Sequence, residues 1–92
     1  MAIEQNQIER AIATAREFGA RRLFLFGSAI ESPQTARDLD LACEGVEGRD
    51  SLRLGARLEE ELGVPVDLVP LYPDDPFCRY VASRGHVIYE RD

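Results

Sequence analysis

Three aspartates and a Gly-Ser pair are the residues of this chain whose types and spacing could do chemistry. Gly27-Ser28 follows the apolar run Leu23-Phe24-Leu25-Phe26. Asp38-Leu39-Asp40 opens a second apolar stretch, and Asp67 lies inside a third, Val66-Asp67-Leu68-Val69. Carboxylates rarely enter such runs unless something compensates their charge. Residues i and i+2 of a strand project to the same side, so Asp38 and Asp40 would point together. Two like charges held that close repel, and a divalent cation is the usual remedy. A Mg²⁺-dependent phosphoryl or nucleotidyl transfer site is the chemistry this pattern implies.

Elements to hold these residues can be read from the periodicity. Ile8, Ala11, Ile12, Ala15 and Phe18 recur at helical spacing with charged residues between them, which predicts a helix near residues 3–18 stopped by Gly19. Residues 22–26 read as a short strand ending at Gly27, with a helical turn starting at Ser28. Pro33 makes 31–35 a loop. Residues 38–43 read as the second strand and 49–62 as a long helix. Its broad apolar face holds Leu52, Leu54, Ala56, Leu58 and Leu62, and Gly63 ends it. Residues 66–69 read as the third strand. Pro70, Pro73 and Pro76 then punctuate a loop in which Asp75 caps a helix over 76–84. Residues 86–89 would be a last strand.

Such alternation indicates an α/β (α+β) layer, a small mixed β-sheet covered by helices. A strand-to-helix turn at Gly27-Ser28 would aim backbone N–H groups and the Ser28 hydroxyl at a phosphate.

Composition bounds the rest. Ninety-two residues suffice for one small domain. No apolar run is long enough for a membrane span, and no basic-then-apolar leader opens the chain, so a cytoplasmic protein is expected. The formal net charge is -6 and the sequence contains no lysine. A grip on a phosphate backbone needs a basic face, so nucleic acid is not an expected partner. Cys43 and Cys78 read as buried small hydrophobes, His86 as structural, and Tyr72, Tyr80 and Tyr89 as packing residues. Asp67 has an alternative reading as the partner of an arginine such as Arg37.

Phe26-Gly27-Ser28, then Asp38-Leu39-Asp40-Leu41, then Val66-Asp67-Leu68 resembles the DNA polymerase β-type nucleotidyltransferase superfamily. Within it the chain resembles the minimal nucleotidyltransferases (MNT), and Arg84-Gly85-His86-Val87-Ile88-Tyr89-Glu90 is similar to the ending common there. The resemblance covers nearly the whole chain, so that 1–92 reads as a single MNT domain with the polymerase β-like fold. It implies that Gly27 and Ser28 hold the triphosphate of ATP, and that Asp38, Asp40 and Asp67 are catalytic and bind two Mg²⁺ ions. It also implies a small helical partner of the HEPN type, a toxin that the MNT protein neutralises as antitoxin, in some members by adenylylating a tyrosine. The pattern departs at Ala29-Ile30-Glu31-Ser32, where an arginine-bearing stretch is common, and at Arg37, where serine is common. Two alternatives therefore stand beside protein adenylylation: an antitoxin acting by contact, and one component of a small-molecule nucleotidyltransferase. Exposed apolar surface on so small a domain implies a homo- or hetero-oligomer.

Overall fold

A computed structural model describes residues 4–27 and 38–91. Helix α1 (Gln5–Glu17) begins where the Gln7 side chain accepts from the Glu4 N–H at 2.9 Å. Helix α2 spans Arg49–Leu62 and ends at Gly63, whose φ of 70° is the left-handed conformation that a helix stop favours. Two carbonyls at the end of α2 are satisfied by α1: Gln7 Nε2 donates to Leu62 O at 3.3 Å and Arg10 donates to Glu61 O at 3.2 Å. The two helices thus dock as a pair. Helix α3 (Pro76–Arg84) is capped by Asp75, whose side chain accepts from Phe77 N–H at 2.9 Å. Asp75→Ala is expected to lower stability by about 1 kcal/mol, read as a drop in the urea midpoint at constant slope.

Strands β1 (Arg22–Phe26), β2 (Leu39–Glu44), β3 (Val66–Leu71) and β4 (His86–Glu90) form one sheet in the order β3-β2-β1-β4. β1 is antiparallel to both β2 and β4, whereas β2 and β3 are parallel. The sheet is therefore mixed and the fold α+β, as expected from the order of elements.

Alternation along the strands splits the core into two clusters. Leu23, Leu25, Leu39, Leu41 and Cys43 pack with Ala11 and Ala15 of α1 and with Leu54, Leu58 and Leu62 of α2. Phe24, Ala42 and Leu71 face the other way and pack with Cys78 and Val81 of α3. Burial on both faces explains why β1 reads as a continuous apolar run rather than an alternating one.

Three expectations need correction. Leu52 is 76% exposed and Ala56 is also exposed. The buried stripe of α2 is Ser51, Leu54, Leu58 and Leu62, and Leu52 lies about 200° around the helix from Leu54. β3 does not stop before Pro70 but runs through it to Leu71; among the described residues it is an edge strand, where a missing N–H is tolerated on the outward side. Asp38 precedes β2 instead of opening it. The predicted turn at Ser28, the 31–35 loop and Arg37 lie outside the described residues.

On the α3 face, Arg22 and Glu44 are register partners across β1 and β2, and Arg22 Nη2 donates to Glu44 Oε2 at 2.7 Å. The Arg22 guanidinium also lies 5.1 Å from the centroid of the Phe24 ring. The hydrogen bond from Arg22 holds the Glu44 carboxyl below the usual carboxylate range, against the opposing effect of burial. Because the folded value is depressed, this contribution is present above the unfolded carboxylate pKa and is lost as pH falls through the folded one. Arg22→Met is expected to lower stability by about 1–3 kcal/mol at neutral pH, the lower end reflecting Arg22's partial exposure. The loss should shrink in acid, and denaturant melts from pH 7 down to pH 3 read both effects. Cys43 and Cys78 are buried free thiols, and burial pushes Cys43 up to about 11, consistent with a packing role.

Candidate active site

The strand register brings the candidate residues into one row. Phe26 of β1 pairs with Asp40 of β2, and Asp40 pairs with Asp67 of β3. Neighbouring strands lie about 4.8 Å apart, so the backbones carrying Asp40 and Asp67 are adjacent. Both aspartates share the parity of Ala42 and Leu71, which pack toward α3, and therefore project from that face. Asp38 stands two residues before Asp40, exposed at the entrance to β2.

Gly27 closes the row at the end of β1. Its φ is 70°, and a Cβ built there would overlap the Asp40 carboxylate, lying 3.1 Å from Asp40 Cγ. A side chain is thus excluded twice, by backbone conformation and by the acid folded against it. The carboxyl group of Asp40 occupies the space beside a bare backbone turn, where a phosphate would need access to main-chain N–H groups. Ser28, the other expected phosphate ligand, lies outside the described residues, as does Arg37, the alternative partner of Asp67.

Among the described residues, no group of three or more His, Cys, Asp or Glu side chains is arranged to hold a metal ion. Asp40 and Asp67 are united by register, whereas Asp38 joins them only through its proximity along the chain. Their donor chemistry suits a hard divalent cation, since carboxylate oxygens on two adjacent strands and one flanking position supply ligands of the right type and charge.

Two features here had not been singled out from the sequence. A groove of about 320 Å³ runs between α2 and β3, lined by Leu52, Gly55, Ala56, Glu59, Val66 and Asp67 among others. Phe77 stacks on exposed Tyr80 with an interplanar angle of 18°, Phe26 meets Phe77 edge-on, and the Arg84 guanidinium lies 5.3 Å from the Tyr80 ring centroid. His86 is exposed at the start of β4. No described helix is long and apolar enough to cross a membrane.

No family model and no curated protein matches the chain. Solved structures do match it. A chain in the crystal structure of a toxin–antitoxin with AMP-PNP aligns with 98% of this chain and 76% of its own length, at 24% identity and a TM-score of 0.76. A chain in the MntA-HepT toxin–antitoxin structure aligns with 96% of this chain and 74% of its own, at 21% identity and a TM-score of 0.74. A third lies in the complex of tri-AMPylated Shewanella oneidensis HEPN toxin with MNT antitoxin, with 97% and 74% covered, 21% identity and a TM-score of 0.74. The chain shares its fold with components of these toxin–antitoxin complexes.

Proposed function

We propose that this chain is a Mg²⁺-dependent minimal nucleotidyltransferase that transfers AMP from ATP to a hydroxyl of a HEPN-type partner and so acts as its antitoxin. The observation that carries the reading is the row of Gly27 in the turn after β1, Asp40 on β2 and Asp67 on β3, on a fold shared with complexes that hold AMP-PNP or an AMPylated HEPN toxin.

Gly27 and Ser28 receive the triphosphate, because the bare turn lets phosphate oxygens reach backbone donors. Asp38, Asp40 and Asp67 would hold Mg²⁺, which when bound offsets charge on the phosphates and on the entering and leaving oxygens. The row gives the site a direction. Gly27 stands at the donor end, in the turn after β1, and Asp67 stands at the acceptor end on β3. Attack by the acceptor oxygen on the α-phosphorus forms one P–O bond and breaks the bond to the β-phosphate oxygen, releasing pyrophosphate. Asp67 is positioned to accept the hydroxyl proton. Positioning and charge compensation carry most of such catalysis, so few residues suffice.

A second reading is an antitoxin acting by contact alone. It is favoured by Ala29-Ile30-Glu31-Ser32, a segment with a carboxylate and no positive charge just after the Gly-Ser pair. Calorimetric titration of ATP with and without Mg²⁺ tests the first reading: binding should require Mg²⁺ and be lost in Asp38→Asn. ATP binding that ignores both the ion and the substitution would remove the metal site. Neutralisation of the partner separates the two readings. If it survives Asp38→Asn with Asp40→Asn unchanged, contact is sufficient.

A further inference from the structure

Every backbone hydrogen-bonding group of a sheet must point to one side of its strand or the other, and among the described residues β3 has a neighbour on one side only. Leu39 N–H donates to Pro65 O at 2.9 Å. In a parallel ladder with Leu39 opposite Val66, this bond means that Leu39 and Leu41 turn their polar groups toward β3. The donation of Arg21 N–H to Glu44 O agrees, since it puts the alternate residues of β2 toward the opposite neighbour. On β3 it follows that Asp67 and Val69 face β2, while Val66, Leu68 and Pro70 face outward. Pro70 has no N–H to offer. The outward donors are therefore those of Val66 and Leu68, and the residue between them is Asp67.

An exposed edge is normally blunted to prevent open-ended pairing. Here Pro70 blunts one end and leaves a short window centred on the acceptor-end aspartate. The groove runs alongside that window. Gly55 and Ala56 leave room on the α2 wall, Leu52 offers exposed apolar surface and Glu59 contributes a carboxylate, while the Asp67 carboxylate projects on the other face of the same edge. A strand laid there would continue the row, with the residue opposite Asp67 about 4.8 Å away and its side chain on the same face.

We infer that the open edge of β3 beside α2 binds an extended, basic, hydroxyl-bearing segment of the partner protein as an added strand, bringing its hydroxyl to Asp67. The inference rests on the transfer reading above and names its acceptor site. Backbone groups at Val66 and Leu68 recognise an extended polypeptide rather than a small molecule. The carboxylates of Glu59 on one face of the edge and Asp67 on the other, in a chain of net charge -6, select Lys or Arg in the segment. The order donor, metal-binding acids, acceptor then runs straight across β1, β2 and β3 to the added strand, as an in-line displacement requires.

The test uses the full chain with its HEPN-type partner protein and reads residue-resolved amide exchange together with partner affinity. The Val66 and Leu68 amides should exchange at least tenfold more slowly in the complex. Ala56→Arg and Glu59→Lys, both at exposed positions, should weaken partner binding at least tenfold. Val87→Lys on the opposite edge should leave it unchanged. Leu68→Pro should also weaken binding, and a melting curve checks that it has folded. Protection of β4 instead of β3, unchanged exchange at Val66 and Leu68, or no complex at all would overturn the inference. The adenylylation state of the same partner is read separately. A modified partner with an unprotected β3 edge overturns the docking site and spares the transfer reading. An unmodified partner with a protected edge does the reverse.

Discussion

Asp40→Asn is expected to reduce adenylate transfer at least about a hundredfold while leaving the fold intact, the loss typical when one group that stabilises transition-state charge is removed. Asparagine keeps the shape of the side chain and removes its charge. The fold should tolerate the change because asparagine is isosteric and the buried apolar contacts of β2 are made by Leu39, Leu41, Ala42 and Cys43. Without Mg²⁺ the substitution also removes a negative charge beside Asp67, which offsets part of any stability lost. That combination, lost transfer with stability kept, is the signature of a residue held in place for chemistry. Lost transfer accompanied by a large fall in melting temperature would instead make Asp40 a structural residue.

Gly27→Ala is the second large effect, and it should appear in both stability and binding. A non-glycine residue at a φ of 70° is strained by about 1–2 kcal/mol. The added methyl must also displace the Asp40 carboxylate. Together these should cost about 2–3 kcal/mol, or a melting temperature lower by roughly 10–20 °C for a domain of this size. ATP affinity should fall at least tenfold, because the methyl group fills the approach to the turn. Gly55→Ala is the control, since its Cβ would meet only Leu68 Cβ at 3.7 Å, an ordinary contact. The double variant Gly27→Ala with Asp40→Ala should recover the steric part of the loss and keep the conformational part, which a thermodynamic cycle separates.

What the sequence made legible was local. The bounds of α2 follow from Gly48, Gly63 and the leucines between them, and those of α3 from Asp75 and Gly85, as observed. The mixed sheet covered by helices follows from the alternation of elements. The pairing register was not legible, because nothing between Gly27 and Asp38 states how far the chain travels before it returns. Only the register shows that Asp40 lies between Phe26 and Asp67. The same gap hid the Arg22–Glu44 pair, whose members open β1 and close β2 and meet only when the strands are aligned. Leu52 misled because leucine was read as core, although its angle around α2 turns it to solvent. Pro70 misled in the opposite sense: proline argued for a loop, and the outward side of β3, unpaired among the described residues, tolerates it.

Transfer chemistry converges on a single readout. Purified chain, its HEPN-type partner, ATP and Mg²⁺ are incubated together, and the intact mass of the partner is recorded beside a reaction with Asp40→Asn. The partner should gain the mass of one or more AMP groups with the unaltered chain and none with the variant. A partner whose mass stays unchanged, under conditions where the unaltered chain binds ATP, would contradict the assignment.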